Sequence, residues 1–370
     1  MDRRNFLKRG FVSAAVMGAL PSAMLASAKP VFAAAAAPKA PVKLADIVSM
    51  TPAEAAEGSA VVRACRDMLT ASAKRLADPK LSAAILSYFD KPNPSIAVGA
   101  DDAALLKALR EAGLIDADRT SVLPPCRDPK EAPQSFWSAP GSGWGSHHAY
   151  PGGLATHMAM NVAMAEHFVQ TYGDVFGFDM DVDAAVGGEL LHDIHKPWVM
   201  AWTADNAIRK EEQLAKTGEH HVLSIAESMK RGIPASVVAA QACAHDHPGS
   251  DAGEALVVGW IKAAGIIAGV DPIKAGYLAS DGKTLPLPRR TEGFVVHLAD
   301  HDFVLAGPAC QWTAAALADL AKEAYGLSAQ KDLNAFRNYA FANLTAIRLY
   351  GILSSRGKTA FADEVKRLVA

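Results

Sequence analysis

The stretch "LLHDIHKPW", Leu190 to Trp198, places His192, Asp193, His195 and Lys196 within about one helical turn, just ahead of a helix-ending proline. On a helix, His192 and Asp193 lie about 100° apart, close enough to offer one imidazole nitrogen and one carboxylate oxygen to a single cation. Lys196 follows His192 by four residues and Asp193 by three, so its ammonium can neutralise phosphate oxygens brought to that cation. The stretch can also be read as an ordinary polar helix end, and the rest of the chain bears on that choice.

All twelve histidines fall between His147 and His301, under half of the 370 residues. Concentrated imidazole most often serves metal binding. In "HHAYPGGLATHMAMNVAMAEHF", Leu154, His157, Asn161, Met164 and Phe168 recur at steps of three and four, which turns His157 toward the core. His167, about 80° away on that helix, belongs to its boundary or surface. In "TGEHHVLSIAESMKRGIPASVVAAQACAHDHPG", His220 and His221 open one helix and His245 and His247 close the next. "FVVHLADHDF" supplies Asp300 between His297 and His301.

The elements around these residues read as all-α. "TPAEAAEGSAVVRACRDMLTASAKRLA" begins with Thr51 at an N-cap and Pro52 at the first helical position. "KLSAAILSYF", "DDAALLKALREAGLI" and the helical segments after Gln311 repeat apolar residues at helical spacing. "GFVVHLADHDFVLAG" is too short to decide between helix and strand by pattern. Residues 116–146, with Pro124-Pro125 and "APGSGWGS", read as loop. The expected organisation is a leader over 1–33, a linker over 34–50, an N-terminal helical region over 51–145, a metal-binding core over 146–306 and C-terminal helices over 307–370 packing on that core.

The order H…HD…H…H…D resembles the HD superfamily of metal-dependent phosphohydrolases. "HHAYPGGLATH" resembles the segment with that family's first metal-binding histidine, "LLHDIHK" its naming signature, and "GIPASVVAAQACAHDH" its later helix with a terminal histidine. The resemblance spans about 146–306 and implies an HD-type helical bundle with additional N- and C-terminal helices. It also implies that His157, His192, Asp193 and Asp300 hold a core metal. His220 or His221, with His245, would hold a second ion bridged by Asp193. His and carboxylate donors suit one or two divalent ions among Mn, Fe, Co, Ni or Zn.

The implied reaction is hydrolysis of a small phosphorylated substrate, a nucleotide or another phosphomono- or phosphodiester, by metal-activated water. Asp193 and Lys196 are its expected catalytic groups, and His195 or His221 the group that protonates the leaving oxygen. Two alternatives stand beside it: a mixed-valent di-iron oxygenase acting on a polyol or phosphonate, and a non-catalytic binding module. The family signature commonly has Gly where His195 stands, and a small apolar residue where Glu189 stands. His147 and His148 read as lining the pocket mouth. His247, His297 and His301 read as outer support or surface. Trp198, Trp202, Arg209 and Lys210 form a lid or ordinary helix packing.

Residues 1–33 have a basic head, Arg3-Arg4-Asn5-Phe6-Leu7-Lys8, and a short apolar stretch from Phe11 to Leu25. This looks like a twin-arginine (Tat) signal engaging the Tat export machinery toward the periplasm, with Asp2 where Ser or Thr is usual. Cleavage after Ala28 or Ala33 leaves no stable membrane anchor. Loss of residues 1–33 removes five basic residues and one acid and moves the formal charge from −2 to −6, so no nucleic-acid-binding patch is expected. Cys65, Cys126, Cys243 and Cys310 form no CxxC; they make up to two disulfides or stay as buried thiols, the reading favoured for Cys243.

Overall fold

Helix starts in this chain carry their caps in the sequence. The Thr51 hydroxyl accepts from the Glu54 amide at 3.3 Å while the Thr51 amide donates to the Glu54 carboxylate at 2.8 Å, a reciprocal box that satisfies two amides at the helix start. Ser59, Asp78, Asp101, Asp181 and Ser250 cap later helices in the simpler one-bond manner.

A computed structural model describes residues 40–287 and 292–370. The Tat-like segment expected over 1–33 lies outside the described residues. In chain order the helices are α1 (Leu44–Ser49), α2 (Pro52–Glu57), α3 (Ala60–Arg75), α4 (Pro79–Asp90), α5 (Asp102–Glu111), α6 (Gly153–Phe176), α7 (Val182–Leu191) and α8 (Lys196–Val199). A two-residue hairpin follows, β1 (Gln213–Leu214) with β2 (Thr217–Gly218). Then come α9 (Glu219–Lys230), α10 (Ala235–Ala242), α11 (Asp251–Ala268), α12 (Glu292–Ala299), α13 (Phe303–Tyr325), α14 (Gln330–Leu344) and α15 (Ala346–Lys366), kinked at Gly357. The fold is all-α, as the periodicity predicts, and the ambiguous "GFVVHLADHDFVLAG" resolves into α12 and α13. Among the described residues, no helix is long and apolar enough to cross a membrane.

Helix α7 is the centre of the bundle. Every residue from Ala184 to Leu191 is buried, as expected for a helix that is apolar on all faces. It packs against α6, α10 and α12. Gly188 makes the α10 contact possible, because a Cβ there would stand 3.0 Å from the Gln241 amide. Helix α9 lies against α10 and α11, and α6 against α3 and α12. The C-terminal end of α7 and the start of α13 therefore meet at the first turns of α6, around His157, with the start of α9 on the far side of Asp193.

The segment at Val42 pairs with the C-terminal residues. The Val42 amide donates to Leu368 at 2.9 Å and the Ala370 amide donates to Val42 at 2.8 Å. Helix α1 buries Ile47 against α14, so the segment expected as linker over 34–50 is helical over its last part: Ile47 supplies an apolar anchor that α14 covers. All four cysteines are free thiols. Cys65, Cys243 and Cys310 are buried, and Cys126 is partly exposed.

Candidate metal centre

Helix α6 carries His157 at a fully buried position, and α7 runs out at Leu191 so that His192 and Asp193 stand in the turn beyond its end. The start of the short helical turn at Asp300–Asp302 brings Asp300 to the same point. His157 Nε2 lies 3.2 Å from Asp193 Oδ2 and 3.1 Å from Asp300 Oδ1. His192 Nε2 lies 3.2 Å and 3.5 Å from the same two oxygens. Two imidazole nitrogens and two carboxylate oxygens thus converge from three elements.

The other oxygen of Asp193 faces α9: Oδ1 is 3.3 Å from His220 Nε2. The Glu211 carboxylate accepts both the Nδ1 proton and the backbone amide of His220, which fixes the ring with Nε2 turned inward. His245, at the end of the α10 segment, places its ring 5.2 Å from that of His220 and shares a 2.7 Å hydrogen bond between Nδ1 and the Thr217 hydroxyl. His221 points elsewhere. Its Nε2 donates to the Ala242 carbonyl at 3.2 Å and its ring stacks on His245 at 4.1 Å. Of the adjacent pair, it is His220 that faces Asp193.

Lys196 pairs with Asp193 and donates to the Gly141 carbonyl at 2.5 Å. His195 does not join the centre. Its Nδ1 shares a 3.0 Å hydrogen bond with the Tyr88 hydroxyl, and its Nε2 faces Glu227 at 3.3 Å. Two residues on from Asp193 is about 200° around a helical turn, so this ring is directed to the opposite side, away from Asp193. His195 is a core histidine, held in a network with Tyr88, Glu227 and Arg231.

Electrostatics mark the centre as a place for a cation. Burial lowers the basicity of His157 and Lys196 lowers it further, yet Asp302, Asp193 and Asp300 outweigh both and raise it to about 10. Burial raises Asp193, but His192, Lys196 and His157 hold it well below the usual carboxylate range; Asp300 is likewise held low against burial by His192 and His157. Burial and the neighbouring His220 push His245 down to about 3, so it stays a neutral imidazole with a free lone pair. Among the described residues, four buried imidazole nitrogens have no hydrogen-bond partner, Nε2 of His192, His195 and His220 and Nδ1 of His221; those of His192 and His220 face Asp193. Orphaned imidazole nitrogens facing ionised carboxylates suit a divalent ion.

Further residues surround these groups. Asn161 donates to Asp300 Oδ1 at 3.0 Å, and it sits one helical turn beyond His157 on the stripe already visible in the sequence. Asp302 lies 3.2 Å from His157 Nδ1, on a turn that sequence periodicity does not resolve. Glu189 is fully buried. Its backbone carbonyl accepts from His192 Nδ1 at 2.7 Å, and burial pushes its carboxyl up to about 8. His148 is buried against Asp302 and only His147 is partly exposed, so the pair is not simply a pocket mouth. His247, His297 and His301 form a row of neighbouring rings outside the centre. Trp198 and Trp202 are tied to Pro125 and Ser138, and Arg209 to Glu219; these are packing contacts of fixed structure rather than a lid, while Lys210 is exposed.

A stretch of 107 residues is 34% identical to dihydroneopterin 2′,3′-cyclic phosphate phosphodiesterase of Methanocaldococcus jannaschii, a match covering 27% of this chain and 40% of the relative. No protein-family model matches the chain. No solved structure matches it. The chain therefore combines a buried His/Asp cluster able to hold a metal ion with a partial likeness to a phosphodiesterase, over about two fifths of that relative's length.

Proposed function

We propose that this protein is an HD-type metal-dependent phosphohydrolase acting on a small phosphodiester or phosphomonoester. The observation that carries the reading is Asp193, one carboxylate placed between two sets of imidazole nitrogens, with the Lys196 ammonium on the same carboxylate. His157, His192, Asp193 and Asp300 would hold one ion, and Asp193, His220 and His245 a second. A divalent ion bound there polarises a phosphoryl oxygen and lowers the pKa of bound water toward neutrality.

The protein's own residues supply the rest. Asp193 would serve the imidazoles on both of its sides, and Glu211 keeps His220 turned inward. Lys196, buried beside Asp193, adds positive charge where phosphoryl oxygens gather in the transition state. The phosphodiesterase relative supports hydrolysis of a phosphodiester over oxidation of a polyol or phosphonate. Export through the Tat pathway belongs to the same proposal and is supported by the sequence of residues 1–33 alone.

The test is hydrolysis of a panel of phosphomonoesters, linear phosphodiesters and nucleoside 2′,3′-cyclic phosphates by protein reloaded with Mn(II), Fe(II) or Co(II). Chelator-sensitive hydrolysis of one class supports the reading. Metal-loaded protein that hydrolyses none of them, or that instead oxidises a polyol or phosphonate only with O2 present, contradicts it. Fractionation of cells carrying an Arg3→Lys, Arg4→Lys double variant tests export, which predicts retention of that variant in the cytoplasm.

A further inference from the structure

His157 offers Nε2 to the centre, and its other nitrogen meets a carboxylate outside the ligand set. Asp302 Oδ1 lies 3.2 Å from His157 Nδ1. Asp302 Oδ2 lies 3.5 Å from His148 Nε2, and His148 Nδ1 lies 3.3 Å from His147 Nδ1. One assignment of protons satisfies the whole row: His147 Nδ1–H donates to His148, His148 Nε2–H faces Asp302, and His157 Nδ1–H donates to Asp302. With an ion on His157 Nε2, in place of the Asn161 Nδ2 that lies 3.2 Å from it here, each ring would be neutral with a single proton and the Asp302 carboxylate would receive two of them.

The backbone is shaped to hold this row. His148 has φ 49°, the left-handed region that non-glycine residues rarely enter. It is kept there by two glycines. The Gly141 amide donates to the His148 carbonyl at 2.9 Å, and a Cβ on Gly153 would stand 1.8 Å from that same carbonyl oxygen. Strain of this kind persists where the surroundings over-determine it, commonly beside functional sites.

We infer that Asp302, backed by His148, is a positioning residue for the metal centre: it fixes the tautomer and orientation of His157 so that Nε2 faces the ion. Carboxylates in this place orient ligand imidazoles and raise their basicity. His147, His148, His157 and Asp302 also bring one ligand atom each to within 4.8 Å of one another, so an ion of their own is the competing reading that the test decides. The inference rests on the ion site of the proposed function but not on the reaction assigned to it.

The test is Co(II) binding to the full chain, by chelator competition with visible absorption, for the native protein, Asp302→Ala and Asp302→Asn. Asp302→Ala is expected to bind Co(II) roughly 10- to 100-fold more weakly at an unchanged number of ions at saturation. Asp302→Asn keeps an acceptor for His157 and is near-isosteric, so it is expected to fold and recover part of that loss. Native affinity in both variants overturns the positioning role. So does loss of one whole ion with the remaining affinity intact, which would make Asp302 a ligand of its own ion. A native protein that binds no Co(II) overturns the centre itself, a different failure.

Discussion

Lys196 joins Asp193 to the main chain of the histidine loop: its ammonium pairs with the carboxylate and donates to the Gly141 carbonyl at 2.5 Å. The turn after α7 and the loop before α6 are thereby held by one buried charge. Lys196 balances a carboxylate that is otherwise surrounded by imidazoles, and it does so without occupying their nitrogens.

That arrangement predicts a separation between metal content and turnover. Lys196→Met keeps the length of the side chain and removes the charge. It is expected to retain most bound metal and to lower kcat/KM for a phosphodiester by roughly 100-fold. Metal analysis and steady-state kinetics on the same preparation decide it. Unchanged kcat/KM would limit Lys196 to holding Gly141.

His195 gives the opposite expectation. His195→Ala leaves the Tyr88 hydroxyl and the ionised Glu227 carboxylate without their imidazole in a fully buried site. Removing one member of such a buried pair costs about 3–5 kcal/mol. Denaturant unfolding should show that loss, while the folded fraction keeps its metal and most of its turnover. A fall in turnover at unchanged stability would return His195 to the reaction.

The adjacent histidines of α9 separate in the same manner. His220→Ala is expected to lower the bound metal by one equivalent, because its Nε2 faces Asp193. His221→Ala is expected to keep the metal, since that ring donates to Ala242 and stacks on His245. Elemental analysis of the two variants side by side is sufficient, and equal loss in both would contradict the assignment.

Glu227 predicts a defined acid sensitivity. Burial raises its pKa, but the hydrogen bond and charge of His195 and the charge of Arg231 prevail and hold it at about 2, against 4.5 for an ordinary glutamate. The folded protein therefore binds this proton less readily than the unfolded chain. The contribution is fully present above pH 4.5 and is lost as pH falls toward 2, at up to about 1.4 kcal/mol per pH unit. In Glu227→Gln, whose stability is lower at neutral pH, that part of the acid dependence should be absent from denaturant titrations at pH 5, 4 and 3. An unchanged slope would contradict the pairing.

The sequence made the helices legible because caps such as Thr51–Glu54 and the three-and-four spacing of Leu154, His157 and Asn161 are local properties. It also ordered His157, His192, Asp193, Asp300, His220 and His245 along the chain; in the structure His157, His192 and His220 face the Asp193 carboxylate, Asp300 faces the first two, and His245 lies beside the His220 ring. What it left open depends on tertiary direction. The direction of His195 is set by Tyr88, 107 residues away, and the choice between His220 and His221 by Glu211 and Ala242. Asp302 reads in sequence as one more acid beside His301, and its role follows only from the backbone that turns His148 toward it. The short helix Leu44–Ser49 has no periodic pattern to announce it: its single buried side chain, Ile47, is covered by α14.

The most direct test of the metal centre is the metal content and phosphodiesterase activity of the native protein, His192→Ala and Asp193→Asn, measured on the same metal-reloaded samples. The native protein is expected to hold one or two equivalents of a divalent ion and to hydrolyse a phosphodiester. His192→Ala should lose one equivalent with its activity. Asp193→Asn, which weakens both ion positions, should lose more metal and all measurable hydrolysis. Full metal occupancy in either folded variant would contradict the ligand assignment, and full activity without metal would contradict the proposed reaction.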